Sequence, residues 1–331
     1  MDRKDEIIRL QMDVISQMTR SNLNRIADDL WGTPSVPLQK EQTTEKTACS
    51  EEIQEEKNET LDDLKQELAG YIGLETVKKE VDSLINLVNI QKLRKENGLP
   101  VNDLSLHMVF SGNPGTGKTM IARLMARIYK CLGILSKGQL VEVDRSGLVA
   151  GYVGQTAIKT SEVIEKAKGG VLFIDEAYAL TNRGGTDYGQ EAVDTLLKAM
   201  EDQRDDLIVI VAGYTELMEE FVHSNPGLES RFNRFIHFPD YSVEEMMAIF
   251  DMRCSQNGYE LHEEARELLK SLLKASSVDV KGFGNARGVR NLFERAVAAQ
   301  ANRLASDPEI TKEDLLTLTV DDIRAAEKSG K

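Results

Sequence analysis

The residues best suited to chemistry form the run GNPGTGKT, Gly112 to Thr119. Two glycines with four residues between them, Gly112 and Gly117, followed by lysine and threonine, make the spacing of a phosphate-binding loop. Glycines let backbone N–H groups turn inward around phosphate oxygens, and a helix starting at the lysine adds the positive end of its dipole. Lys118 is expected to reach the β and γ phosphates of a nucleotide, and Thr119 to hold Mg²⁺. Asn113, Pro114, Gly115, Thr116, Gly117 and Met120 complete the expected cofactor-binding loop and its first helical turn.

A second run, GGVLFIDEAYAL, ends an apolar stretch in adjacent carboxylates, Asp175 and Glu176. Side chains alternate across a strand, so the two acids leave its end in different directions. Asp175 suits Mg²⁺ and its water shell, and Glu176 suits polarisation of an attacking water, the division of labour of a Walker B pair. Positive charge near the transferred phosphate is the remaining requirement. NPGLESRFNRF offers Arg231 and Arg234, either transition-state stabilisers or a surface pair. GNARGVRNLFERA sets Arg287 and Arg290 at a helix start, where cations oppose the dipole and call for an anionic partner: bound nucleotide, or Glu294. His107, His223, His237 and His262 share no spacing with one another or with carboxylates and read as structural.

Positioning these groups requires strands that end at the loop and at the acid pair. Short apolar runs at 106–111, 140–143, 171–175, 207–212 and 235–238 read as strands, separated by amphipathic stretches such as Ile121, Leu124, Met125 and Ile128. That alternation predicts an α/β fold, a parallel sheet with helices on both faces, over residues 61–240. Residues 241–331 read as a smaller, mainly helical domain with a short tail and one weak strand near 316–320, the lid domain of the resemblance given below. Residues 1–32 carry apolar side chains at helical spacing, either a docking element or a helical pair resting on its own protein. Residues 33–60, glutamate-rich and poor in aliphatics, read as a disordered acidic linker.

Composition narrows the classes. The 331 residues carry a formal net charge of -14, with both signs spread along the chain, which disfavours nucleic acid as a partner. Cys49, Cys131 and Cys254 lie far apart and form no CxxC pair, so neither a disulfide framework nor a zinc site is expected. No apolar run approaches a bilayer span, and the charged start MDRKDEIIRL lacks a signal peptide's apolar stretch. A cytoplasmic protein without membrane contact is the expectation.

The phosphate loop, acid pair, loop arginines and NARGVRN occur in the order seen in AAA+ ATPases. AGYVGQTAIKT, GGVLFIDEAYAL, VIVAGYTELMEEF, NPGLESRFNRFIHFPDYS and GNARGVRNLFERAVAAQANRL resemble, more narrowly, the subfamily that includes stage V sporulation protein K and the red-type Rubisco activase CbbX. The likeness spans about 64–323. It implies a P-loop NTPase fold and a homo-oligomer, a hexameric ring with ATP at subunit boundaries. By position it implies that Ile72, Gly73 and Leu74 lie against adenine, and that Arg231 reaches into a neighbour's site with Arg234 as a candidate second finger. Arg287 takes the sensor-2 position. Tyr152, with Val153, takes that of the first pore loop, and Thr181 to Gly189 that of a second. One departure stands out: Tyr214 occupies the end of the fourth strand, where many relatives carry a polar sensor-1 asparagine, leaving Tyr214 or Thr215 to orient water. The implied function is an ATP-dependent remodelling motor that engages a protein substrate through Tyr152. The competing reading is a scaffold that assembles with ATP and recruits a partner through its N-terminal helices.

Overall fold

The computed structural model describes residues 59–101, 105–152, 154–181, 188–276, 280–305 and 309–329. The expected N-terminal helical segment, nearly all of the acidic linker, Val153 and most of the Thr181–Gly189 stretch lie outside the described residues.

Thr60 opens the described chain as a helix cap. Its hydroxyl accepts from the Asp63 N–H while the Asp63 carboxylate accepts from the Thr60 N–H, so α1 (Leu61–Gly70) starts with a reciprocal pair of bonds. The helix α2 (Glu75–Glu96) follows, then β1 (Met108–Gly112), α3 (Lys118–Cys131), β2 (Leu140–Val143), the short α4 (Arg145–Leu148) and α5 (Gln155–Ala167). Next come β3 (Val171–Ile174), a 3₁₀ turn (Ala177–Thr181), α6 (Gly189–Asp202), β4 (Ile208–Gly213), α7 (Thr215–His223), α8 (Pro226–Arg231) and β5 (Arg234–Phe238).

These five strands pair in parallel in the order β2-β3-β4-β1-β5. The period of two divides their side chains between two cores. Met108, Phe110, Phe173 and Ile210 face α1, α2 and α3, whereas Val109, Leu172, Ile174 and Val209 face α5, α6 and α7. Both faces are covered, which is why β1, β3 and β4 are wholly buried and, apart from Ser111 near the end of β1, carry no polar side chain. β1 begins two residues later than the apolar run suggests. The Val209 N–H, at the matching end of β4, bonds to the His107 ring at 3.0 Å.

The lid starts with a second capping box, Ser242 with Glu245, on α9 (Val243–Asn257). It continues through β6 (Glu260–Leu261), α10 (Glu263–Ser276), α11 (Val280–Phe283), α12 (Asn285–Leu304), α13 (Lys312–Leu316), β7 (Thr317–Leu318) and α14 (Val320–Lys328). The weak strand foreseen near 316–320 is β7, paired in parallel with β6. The lid has its own core around Phe250, Leu269, Phe293 and Ile323. Buried Asp322 is held there by Arg303 at 3.0 Å through both carboxylate oxygens.

Candidate active site

Parallel strands deliver their C-terminal ends to one edge of the sheet, where ligands of open α/β folds bind. Gly112 ends β1 there, and the 113–117 loop turns directly into α3. The Thr116 hydroxyl donates to the Asn113 carbonyl at 2.8 Å and is completely buried, so the turn is braced from within. Lys118 Nζ donates to the Gly112 and Asn113 carbonyls, each at 2.8 Å. The loop's own oxygens thus hold the ammonium at its mouth, whereas the sequence argument places it on phosphates. Burial lowers the Lys118 pKa, opposed first by Asp175, while Arg287 acts in the same sense as burial.

β3 adjoins β4, which adjoins β1, so the acid pair arrives at the same edge. The Asp175 N–H prolongs the ladder to the Val143 carbonyl at 2.8 Å. The chain then bends sharply: Glu176 has φ of 49°, and its N–H bonds to Asp175 Oδ1 at 3.0 Å. A non-glycine residue held in the left-handed region costs about 1–3 kcal/mol and marks a position the surroundings enforce. Here the bend leaves the Glu176 carboxylate exposed at the strand end.

Two side chains that sequence reasoning passed over join the cluster. Glu142, on β2, accepts from the Thr119 hydroxyl at 3.4 Å and lies 3.9 Å from Arg123. Burial raises its pKa, as does Asp175, against Arg123 and Thr119. Tyr178 follows the acid pair, and its ring covers Gly213 and meets the Tyr214 ring at a centroid distance of 6.2 Å. Burial, then the charge of Glu176, then Tyr214 and Asp175 push its phenol up to about 12. The nearby Glu176 side chain thus acts on it in the same sense as burial. The signal was present as alternation in LVEV and as the tyrosine two residues past Glu176, but neither spacing names a partner strand.

Ile72, Gly73 and Leu74 form the turn between α1 and α2 and come beside the phosphate loop. Leu74 caps α2 with φ of 60° and, with Met120, lies against Gly117. Ile72 packs on the lid core, and Gly73 rests against Glu245 and Tyr241. Gly115 is required by proximity as well as by its φ of 73°: a Cβ there would collide with the Gly284 carbonyl and crowd Arg287. The lid helix α12 therefore starts on the loop, with Arg287 in its first turn. Arg290 instead takes the ordinary partner, Glu294, at 2.8 Å.

The loop arginines are not brought to this cluster. Arg234 heads β5 opposite Met108, whereas Phe238 lies opposite Gly112. Four residues of strand, about 13 Å, separate Arg234 from the phosphate-loop end of the sheet. Arg231 closes α8 and donates to Glu201 Oε2 at 3.2 Å and to the Gly227 carbonyl at 3.3 Å. Tyr152 is likewise remote in the chain, 73% exposed between Gly151 and Gly154, around which no atom crowds. No described helix is long and apolar enough to cross a membrane.

Residues 108–240 match the family described as ATPase family associated with various cellular activities (AAA), and residues 242–331 match the AAA lid domain. Stage V sporulation protein K of Bacillus subtilis is 42% identical over 279 residues, 83% of this chain and 86% of that protein. The chloroplastic ribulose bisphosphate carboxylase/oxygenase activase of Cyanidioschyzon merolae is 45% identical over 80% of this chain and 90% of its own. Protein CbxX of Cupriavidus necator is 44% identical over 78% and 83%. The FIGL-1 AAA domain solved with ADP shares the fold at a TM-score of 0.56 and 20% identity, covering 80% of this chain and 84% of that one. With a nucleotide loop, an acid pair and a lid meeting at one edge of a β2-β3-β4-β1-β5 sheet, the chain belongs to the AAA ATPases and hydrolyses ATP.

Proposed function

We propose that the chain is the subunit of a hexameric ring that hydrolyses ATP at its subunit boundaries and uses the energy to remodel a protein substrate gripped by Tyr152 and Val153. Its division into a nucleotide-binding domain, 61–240, and a lid, 241–331, belongs to that proposal. The observation that carries it is the separation within the subunit. The phosphate loop and acid pair share one edge of the sheet, while Arg234 heads β5 about 13 Å away and Arg231, at the end of α8, lies by Ser105 ahead of β1. An arginine finger, which contributes about 10³ to 10⁵ in rate, must then come from a neighbour.

Within each subunit Lys118 and the loop amides bind the phosphates, Ile72, Gly73 and Leu74 enclose the base, and Glu176 takes a proton from water. Arg287 compensates charge from the lid side. Thr119, Asp175 and Glu142 present only oxygen, the donor set that suits Mg²⁺, with Thr119 and Asp175 as its holders. Bound there, the ion would neutralise charge developing on the transferred phosphoryl group. Tyr178, close to Glu176 and with its ring tilted against that of Tyr214, supplies the orientation that an asparagine gives elsewhere.

Subunit mixing tests the arrangement. Lys118→Ala and Arg231→Ala variants should each be inactive alone. Mixed, the first lends its arginine to the intact loop of the second, and phosphate release should recover to about a quarter. No recovery in mixed assemblies would rule out a finger acting between subunits. Full turnover by Glu176→Gln would remove the proposed base.

A further inference from the structure

We infer that Asp240 and Asn285 form a latch that ties the lid to the phosphate loop and aims Arg287, so that occupancy of the loop is transmitted to the lid through one carboxylate. The inference rests on nucleotide binding at the 112–119 loop. It assigns positioning roles to two residues that have no part in the proposed chemistry.

The geometry converges on Asp240, in the connection between β5 and α9. Its two oxygens accept from Asn113 Nδ2, in the phosphate loop, at 3.0 and 2.9 Å. The same Oδ1 accepts from Asn285 Nδ2, at the start of the lid helix, at 2.8 Å. Asn285 is 1% exposed and spends its whole amide here. Its Oδ1 accepts from the Tyr241 N–H at 3.0 Å, and its Nδ2 also reaches the Pro114 carbonyl at 3.3 Å. The orientation of that amide is over-determined, because Tyr241 offers only a donor on one side while the carboxylate and carbonyl offer only acceptors on the other. One residue on, the Ala286 N–H bonds to the Gly115 carbonyl at 3.2 Å.

Asn285 has φ of 53°, which asparagine tolerates better than almost any other side-chain-bearing residue. Glycine fits the backbone but lacks the amide. Aspartate fits the backbone yet sets a second carboxylate against Asp240. The adjacent Tyr241 packs against both the sheet core and the lid core, which places the latch at the junction of the two. Phosphates entering the loop displace the Lys118 ammonium from the Gly112 and Asn113 carbonyls. The residue whose carbonyl is released, Asn113, is the one whose side chain holds Asp240. Arg287 lies two residues beyond Asn285, so a shift at the latch re-aims its guanidinium.

Hydrogen exchange of the full chain with and without ADP, and with a non-hydrolysable ATP analogue, reads the coupling directly. In the wild type both the loop and residues 285–290 should change protection on adding nucleotide. In Asn285→Gly and in Asp240→Ala the loop should still respond while the lid helix does not. The kcat for ATP should fall about 10- to 100-fold with KM moved less than about threefold, the pattern of a misplaced group. Asp240→Asn, which keeps an acceptor oxygen, should recover most of kcat. Asp240 is exposed, so its variants test the latch even if Asn285→Gly misfolds. A lid response that survives in Asp240→Ala overturns the latch. No response at the loop in the wild type overturns the nucleotide-site reading itself, and the latch with it.

Discussion

Replacing His107 tests whether the base of the sheet is wired as described. The ring is 4% exposed, and its Nδ1 accepts from the Val209 N–H at 3.0 Å while Nε2 donates to the Met200 carbonyl at 3.3 Å. Protonation would put a hydrogen on Nδ1 facing another hydrogen and bury a charge. Burial is accordingly the main cause that lowers the pKa to about 4; the Met200 hydrogen bond opposes it, Arg231 adds to it and Glu201 opposes it. Because the folded pKa lies below the unfolded value, the stabilisation is complete above about pH 6.5 and is lost as pH falls toward 4. A depression of about 2.5 units corresponds to about 3 kcal/mol in total, of which about 2 is gone by pH 5. His107→Asn keeps an acceptor for Val209 but does not titrate. Urea midpoints measured between about pH 7.5 and 5 should therefore fall less steeply for the variant than for the wild type, by about 2 kcal/mol over the interval. Equal slopes would show that His107 is not held neutral by its burial, and the account of the lower end of β1 would be wrong.

Tyr178→Phe removes only the hydroxyl beside the acid pair; kcat for ATP should drop by about 10-fold with little change in nucleotide affinity, and an unchanged kcat would assign Tyr178 to packing alone. Tyr152→Ala should leave basal ATP hydrolysis near wild type while abolishing stimulation by a protein substrate, and retained stimulation would remove the pore-loop role.

Much of the sheet, and the turn from β1 into α3, was legible in the sequence. Strands β2 and β3 fall at or within a residue of the apolar runs that announce them: β3, buried on both faces, is apolar at every position, whereas β2, at the sheet edge, still alternates and keeps Glu142. The β1 boundary was not legible, since an imidazole takes the place of the first ladder carbonyl. Strand β6 was missed because its two residues, Glu260 and Leu261, are too few to show a period.

Local spacing determined what is local: a glycine-rich turn after β1, a helix that begins at Lys118, and two acids at a strand end. These depend on residues a few positions apart, whose geometry the backbone dictates. Partnerships across long stretches of chain were decided by the tertiary structure alone. Glu142 meets Thr119, Tyr178 meets Tyr214, and Asp240 gathers Asn113 and Asn285, because the strand order β2-β3-β4-β1-β5 and the placement of the lid bring those ends together. The same pairing sets Arg234, at the head of β5, at the opposite end of the strand from the 112–119 loop. A hydrogen-bond partner hundreds of atoms distant leaves no periodic trace, so its identity waits on the fold that closes the distance.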